Sequence, residues 1–159
     1  MSKSVVTAHP AAAPADAIEH FAALLGFETD CWDVHEVLSA GEADFVLVDV
    51  RGKGAWEQGH IAGAVHIPHR ELGSGVLDEY PDETVFVVYC AGPHCNGADR
   101  AALRLAQAGR PVKKMIGGAT GWLDGVRAGP RLSLGFGLGG ASAPGQFNAE
   151  PRRGSPAAT

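Results

Sequence analysis

Val85-Phe86-Val87-Val88-Tyr89-Cys90, then Ala91-Gly92-Pro93-His94-Cys95-Asn96-Gly97, then Ala98-Asp99-Arg100-Ala101-Ala102-Leu103-Arg104-Leu105, is the stretch on which the fold turns. The β-prone residues ahead of the cysteine spell a buried strand, and a helical pattern starts within a few residues of it. Cys90 therefore opens a glycine-punctuated loop between a strand and a helix. A thiol placed there meets the positive end of a helix and a ring of backbone N–H groups. Such surroundings lower a cysteine pKa from about 8.5 to roughly 3.5–7.5. The stretch is suited to hold a thiolate.

Working outward, the flanks alternate strands with helices. Asp16–Leu25 carries Ile18, Phe21 and Leu25 at helical spacing, with Gly26 as the expected C-cap. A second helix is expected from Asp30, supported by Asp33, with Val34, Val37 and Leu38 as its buried stripe and Gly41 as its end. Phe45–Val50 is a continuous apolar run interrupted only by Asp49, which reads as an interior parallel strand. A helical turn around Ala55–Gln58, a brief strand at Ala64–Ile67 and a turn at His69–Leu72 follow, and Pro81-Asp82-Glu83 is turn chemistry. Beyond the Cys90 loop, a helix over Ala98–Ala108 should close at Gly109. Val112–Ile116 reads as a last strand running into Gly117-Gly118, with a short final helix anchored by Trp122 and Val126. The pattern predicts an α/β sandwich around a mostly parallel sheet.

The ends differ in composition. Residues 1–14 are rich in Ala and Pro and read as a flexible arm, residues 15–129 as one domain, and 130–159 as a Gly/Ala/Pro-rich disordered tail. Leu132, Leu134, Phe136 and Leu138 alternate with small residues in that tail, as an edge strand or a docking segment would, though a sticky disordered segment is the reading preferred. The chain of 159 residues has room for one real core, and 45% hydrophobic with 19% charged residues is ordinary for a globular protein. A net charge of −5 leaves no basic footprint for nucleic acid. No stretch approaches the roughly 18 uninterrupted apolar residues of a membrane span. Cys31, Cys90 and Cys95 are an odd number and too few for a disulfide framework, which fits a reducing cytoplasm.

Three segments in order resemble the rhodanese family of sulfurtransferases. The first is Asp49-Val50-Arg51. The second is Trp56-Glu57-Gln58-Gly59-His60-Ile61-Ala62-Gly63-Ala64-Val65-His66-Ile67-Pro68, similar to the family's aromatic and His-Ile-Pro-Gly-Ala signature with Trp56 and Ala62 as substitutions. The third is Tyr89-Cys90 with its loop and helix, then Met115-Ile116-Gly117-Gly118 and Trp122. The resemblance implies a rhodanese-like three-layer sandwich, a five-stranded, mostly parallel sheet flanked by helices. It also implies a single catalytic cysteine, which falls on Cys90, and no organic cofactor or metal. The implied reaction is a relay: the thiolate takes the outer sulfur of thiosulfate or a similar anionic donor, and the persulfide passes it to cyanide, a thiol or a protein acceptor.

The residues argue the same chemistry. A covalent thiol catalyst needs its anion, a slot for a charged donor and stabilisation of charge during transfer. Backbone N–H groups converging on one sulfur supply these, and the candidates are those of Ala91, Gly92, His94, Cys95, Asn96 and Gly97; Pro93 has none. Asn96 is the expected N-cap of the following helix, with Asp99 at N3. The loop is longer than the common rhodanese loop and gives Cys-x4-Cys, which puts thiosulfate as the natural donor in question. Cys95 has two readings, a thiol that resolves a sulfenic acid or persulfide on Cys90, or a small residue offering its N–H. Arg51 also has two, an anion holder in the site or a structural partner of Asp49 or Glu57. Arg100, where the helix dipole disfavours a cation, is a candidate anion ligand. His60 reads as a brace for its turn, and His94 as a tuner of the thiolate or a solvent-facing side chain. Cys90, Cys95 and His94 have the wrong spacing for a closed zinc site.

Two other functions share this fold. A redox- or persulfide-sensing module, or a binding module, would use Cys90 and Cys95. Phosphatases and arsenate reductases of the fold carry Cys-x5-Arg, whereas here that position is Asn96 and the guanidinium clamp on a phosphoryl group is missing.

Overall fold

The computed structural model describes residues 3–73 and 75–126. The tail readings, including Leu132 to Leu138, lie outside these residues. Residues 3–13 are exposed and carry only turns and irregular backbone.

The elements follow in the order α1 (Pro14–Phe27), β1 (Glu28–Thr29), α2 (Cys31–Ala40), β2 (Phe45–Asp49), α3 (Lys53–Gln58), β3 (Val65–His66), β4 (Val85–Tyr89), α4 (Gly97–Gln107), β5 (Val112–Met115) and α5 (Gly118–Gly121), which runs into a π-helical turn, Trp122–Val126. All five strands are parallel, in the order β1-β5-β4-β2-β3. The sheet is thus wholly rather than mostly parallel. β4 is its middle strand, with Val88 opposite Val48 on one side and Lys114 on the other.

Each strand alternates its side chains between two apolar layers. Val48, Val50, Phe86, Val88 and Cys90 face Ala98, Ala101 and Leu105 of α4. Leu47, Val87, Tyr89 and Met115 face Cys31 and Val34 of α2, with Trp56 and Trp122 packed at the margin. This alternation along a fully buried strand is the pleat at work. Because every strand points the same way, Thr29, Asp49, His66, Tyr89 and Met115 all end at one edge. Cys90 leaves the sheet at the centre of that edge, where open parallel sheets place their ligands.

Helix α2 forms as its caps dictate: Asp30 accepts from the Asp33 N–H at 2.9 Å, and Gly41 closes it in the left-handed region at φ 72°. Helix α1 departs from expectation. It starts at Pro14, where a missing N–H costs nothing, and runs through Gly26 to Phe27 before the chain extends into β1. Its apolar stripe is not buried: Ile18 is 70% and Leu25 74% exposed. β1 itself carries no apolar run, and only its pairing of Glu28 with Lys114 and Thr29 with Met115 makes it a strand.

Candidate active site

Cys90 is 6% exposed, and its sulfur is joined to that of Cys95 in a disulfide, with the two Cα atoms 6.4 Å apart. The expected free thiol is therefore oxidised in this structure. Cys90 lines a cavity of about 410 Å³ together with Gly92, Asp99, Lys114 and Gly118, among others.

The loop rests on the turn that follows β5. The Ala119 N–H donates to the Cys90 carbonyl and the Thr120 N–H to that of Ala91, both at 2.9 Å. Gly118 has φ +59°, and a side chain there would come within 2.9 Å of the Gly92 nitrogen, so only glycine permits this approach. A side chain on Gly92 would collide with Thr120 Oγ1. The Met115-Ile116-Gly117-Gly118 segment of the sequence thus serves as the cradle of the cysteine loop.

The expected N–H donors divide. Those of Ala91, Gly92, His94 and Asn96 meet no protein acceptor among the described residues. The Cys95 N–H is spent inside the loop on the Gly92 carbonyl at 3.0 Å. The Gly97 N–H donates to Cys95 Sγ at 3.4 Å. Asn96 does occupy the N-cap position of α4, but its side chain makes no capping bond. Its backbone, at φ −89° and ψ 13°, is outside the extended region from which a cap residue reaches back. The sulfur of Cys95 takes the first helical N–H instead.

The expected arginines sit elsewhere. Arg51 is the structural partner of Asp49. Its Nε donates to Oδ1 at 2.9 Å and its Nη2 to Oδ2 at 2.6 Å, and Nη2 also reaches the Gly59 carbonyl at 2.7 Å. Tyr89 completes this buried knot by donating to Asp49 Oδ2 at 2.8 Å and accepting from the Ile61 N–H at 3.1 Å. Burial and the neighbouring Asp49 carboxylate push the Tyr89 hydroxyl well above its ordinary pKa, so it stays a donor. Of the two readings of Arg51, the structure shows the partner of Asp49: the fully buried carboxylate takes the guanidinium as its counter-charge. Arg100 lines a different cavity, of about 890 Å³, with His69, Arg70 and Arg104. Burial and the charges of Arg70, Arg100 and Arg104 lower the His69 pKa. Arg100, one helical turn into α4, is not among the residues that line the Cys90 cavity.

The cation that does line the Cys90 cavity, unanticipated from the sequence, is Lys114 on β5. Its ammonium bonds Asp99 at 2.9 Å and Glu28 at 3.2 Å, and the Asp99 bond above all raises its pKa. The signal available was a lysine pair inside an otherwise apolar parallel strand, where a charge needs a reason. His94 is exposed and lines an outer cavity of about 590 Å³ with Ala91, Pro93, Cys95, Asn96 and Asp99. His60 is a brace: its ring stacks on Trp56 at 3.3 Å, and Nδ1 donates to the Trp56 carbonyl at 3.0 Å. Cys31 is buried at the start of α2 and donates to the Ile116 carbonyl at 3.4 Å. Burial first, then Asp30, raises its pKa to about 11.

Residues 33–124 match the family model described as the rhodanese-like domain. The chain belongs to the rhodanese-like domain family. This rhodanese-like domain is 36% identical, over 109 residues, to the HTH-type transcriptional regulator Rv0324 of Mycobacterium tuberculosis. The match covers 68% of this chain and 48% of the regulator, so the chain spans about half the length of that curated relative. Among solved structures, the BH2092 protein of Bacillus halodurans is 36% identical with a TM-score of 0.68, covering 70% of this chain and 82% of that one. The rhodanese-like domain of the Alr3790 protein from Anabaena, 23% identical with a TM-score of 0.55 over 76% of this chain and 95% of that one, shares the fold. Among the described residues no helix is long and apolar enough to cross a membrane.

Proposed function

We propose that this rhodanese-like domain is a sulfurtransferase that carries sulfane sulfur as a Cys90 persulfide. The observation that supports this best is the seat of the Cys90 sulfur. It lies at the end of the central strand, beside the first turn of α4, in a cavity that Lys114 and Asp99 also line. Once a cellular thiol has opened the disulfide, the Cys90 thiolate attacks the outer sulfur of thiosulfate or a similar anionic donor, and sulfite or its equivalent leaves. The N–H of Gly92, which is unpaired among the described residues and lines this cavity, and the positive end of α4 favour the charged donor and leaving group, whereas the Lys114 charge is already balanced by Asp99 and Glu28. The persulfide then passes its outer sulfur to cyanide, a small thiol or a protein thiol. Every step is thiolate chemistry and calls for neither metal nor organic cofactor, and the need for a reduced pair fits a cytoplasmic setting.

A second reading is favoured by the Cys90–Cys95 disulfide and by the likeness to a transcriptional regulator: a module that senses oxidant or persulfide. Turnover separates the two. Protein reduced and freed of reductant, given thiosulfate and cyanide, is expected to form thiocyanate catalytically, and a Cys90→Ser variant is expected to lose at least about 10³-fold, the scale for loss of a covalent nucleophile. Retained turnover in Cys90→Ser contradicts the proposal. No turnover in the wild type, with the disulfide still forming under mild oxidant, supports the sensor.

A further inference from the structure

The geometry points to Cys95 as a second catalytic thiol that resolves the Cys90 persulfide and releases its outer sulfur as hydrosulfide. This rests on the persulfide reading above and adds an activity to it, the thiol-dependent reduction of sulfane sulfur to sulfide.

Three observations carry it. The two sulfurs are bonded, across a Cα–Cα distance of 6.4 Å that lies within the usual range for a disulfide, so the loop brings Cys95 onto Cys90 without rearranging the sheet. The backbone of Cys95 is already committed, since its N–H serves the Gly92 carbonyl, so the residue contributes to the site through its sulfur. That sulfur accepts the first N–H of α4, from Gly97, which is the kind of bond that favours a thiolate over a thiol. Gly97 keeps the space for this pair: a side chain there would stand 2.7 Å from Cys90 Sγ and 3.3 Å from Cys95 Sγ. Cys31 offers no substitute, because its thiol is donated to the Ile116 and Gly118 carbonyls beneath the loop.

The step balances as follows. The Cys95 thiolate attacks the Cys90 Sγ of the protonated persulfide. A new Sγ–Sγ bond forms, the bond between Cys90 Sγ and the outer sulfur breaks, and the electron pair leaves with that sulfur as hydrosulfide. The outer sulfur is reduced and the two cysteines are oxidised to the disulfide present in the structure. Two equivalents of a thiol reductant, or one dithiol, reopen the pair and become the oxidised partner. An attacking thiol held in place outruns one arriving from solution because its orientation is already set.

The test is a single turnover without oxygen. Reduced protein, freed of reductant, receives one equivalent of thiosulfate, and intact mass and released sulfide are followed together. Wild type is expected to release about one equivalent of sulfide and to end about 2 Da lighter than the reduced chain. Cys95→Ser, with Cys95→Ala as a second variant should the first fail to fold, is expected to stop at an adduct about 32 Da heavier and to release no sulfide until a thiol is added. If wild type also stops at that adduct and releases sulfide no faster than the variants, resolution by Cys95 is overturned while the persulfide reading stands. If neither protein gains sulfur nor releases sulfide, the persulfide reading itself fails and the resolution step with it.

Discussion

At the residue scale, the site is a problem of space around two sulfur atoms. Gly97 has an ordinary backbone conformation, so its role is only to be small. A Gly97→Ala methyl would push against both cysteines, and displacing a nucleophile by about 1 Å costs roughly 10²-fold in rate. Thiosulfate turnover by Gly97→Ala is expected to fall by that order, while Gly54→Ala in α3, where nothing lies within 4 Å, should leave it unchanged. Equal rates in the two variants would contradict this packing account. At this scale the sequence was only partly readable. Cys90 stood out because strand, loop and helix signals converge on one position. The sequence leaves Arg51 between an anion ligand and a partner of Asp49, and only the folded turn shows it held by Asp49 and Gly59, while Arg100 lines the cavity of His69 and Arg70, residues distant in sequence. Lys114 was overlooked since only the β4–β5 register brings it beside the loop.

At the element scale, the strands of the centre were legible and the edge was not. β2 and β4 are runs of Val, Leu and Phe whose burial needs no further information. β1 is two residues long and polar at Glu28, so it exists through pairing with β5 and leaves no local pattern. The same join between α1, β1 and α2 sets a pH dependence. Cys31 opens α2 with its thiol pKa raised from 9.0 to about 11, so the folded state prefers the protonated form more than the unfolded chain does. Its contribution to stability is complete below pH 9 and is lost as pH rises toward 11. Thermal unfolding of reduced protein between these limits should therefore show a steeper loss of Tm in wild type than in Cys31→Ala. Parallel slopes would mean that the thiol is not the group responsible, since Tyr80 and Tyr89, also raised, titrate in both proteins.

At the scale of the whole molecule, the disulfide bears on stability. It closes a loop with a sequence separation of 5, for which the chain-entropy relation gives about 2 kcal/mol. Urea unfolding of oxidised and reduced protein should differ by about that amount, and identical midpoints would show that the pair contributes no constraint. On the proposed function, the oxidised form is then the sturdier and the reduced form the one that accepts sulfur. Helix α1, with Ile18, Phe21 and Leu25 exposed, lies outside either core, so the periodic apolar stripe in the sequence marks a helix and not its burial. The most direct test of the central claim is to locate the transferred sulfur. Reduced Cys95→Ser protein treated with thiosulfate, alkylated and digested, should carry its additional mass of about 32 Da on the peptide containing Cys90. An unmodified Cys90 peptide, or the same mass found on the Cys31 peptide instead, would contradict the account.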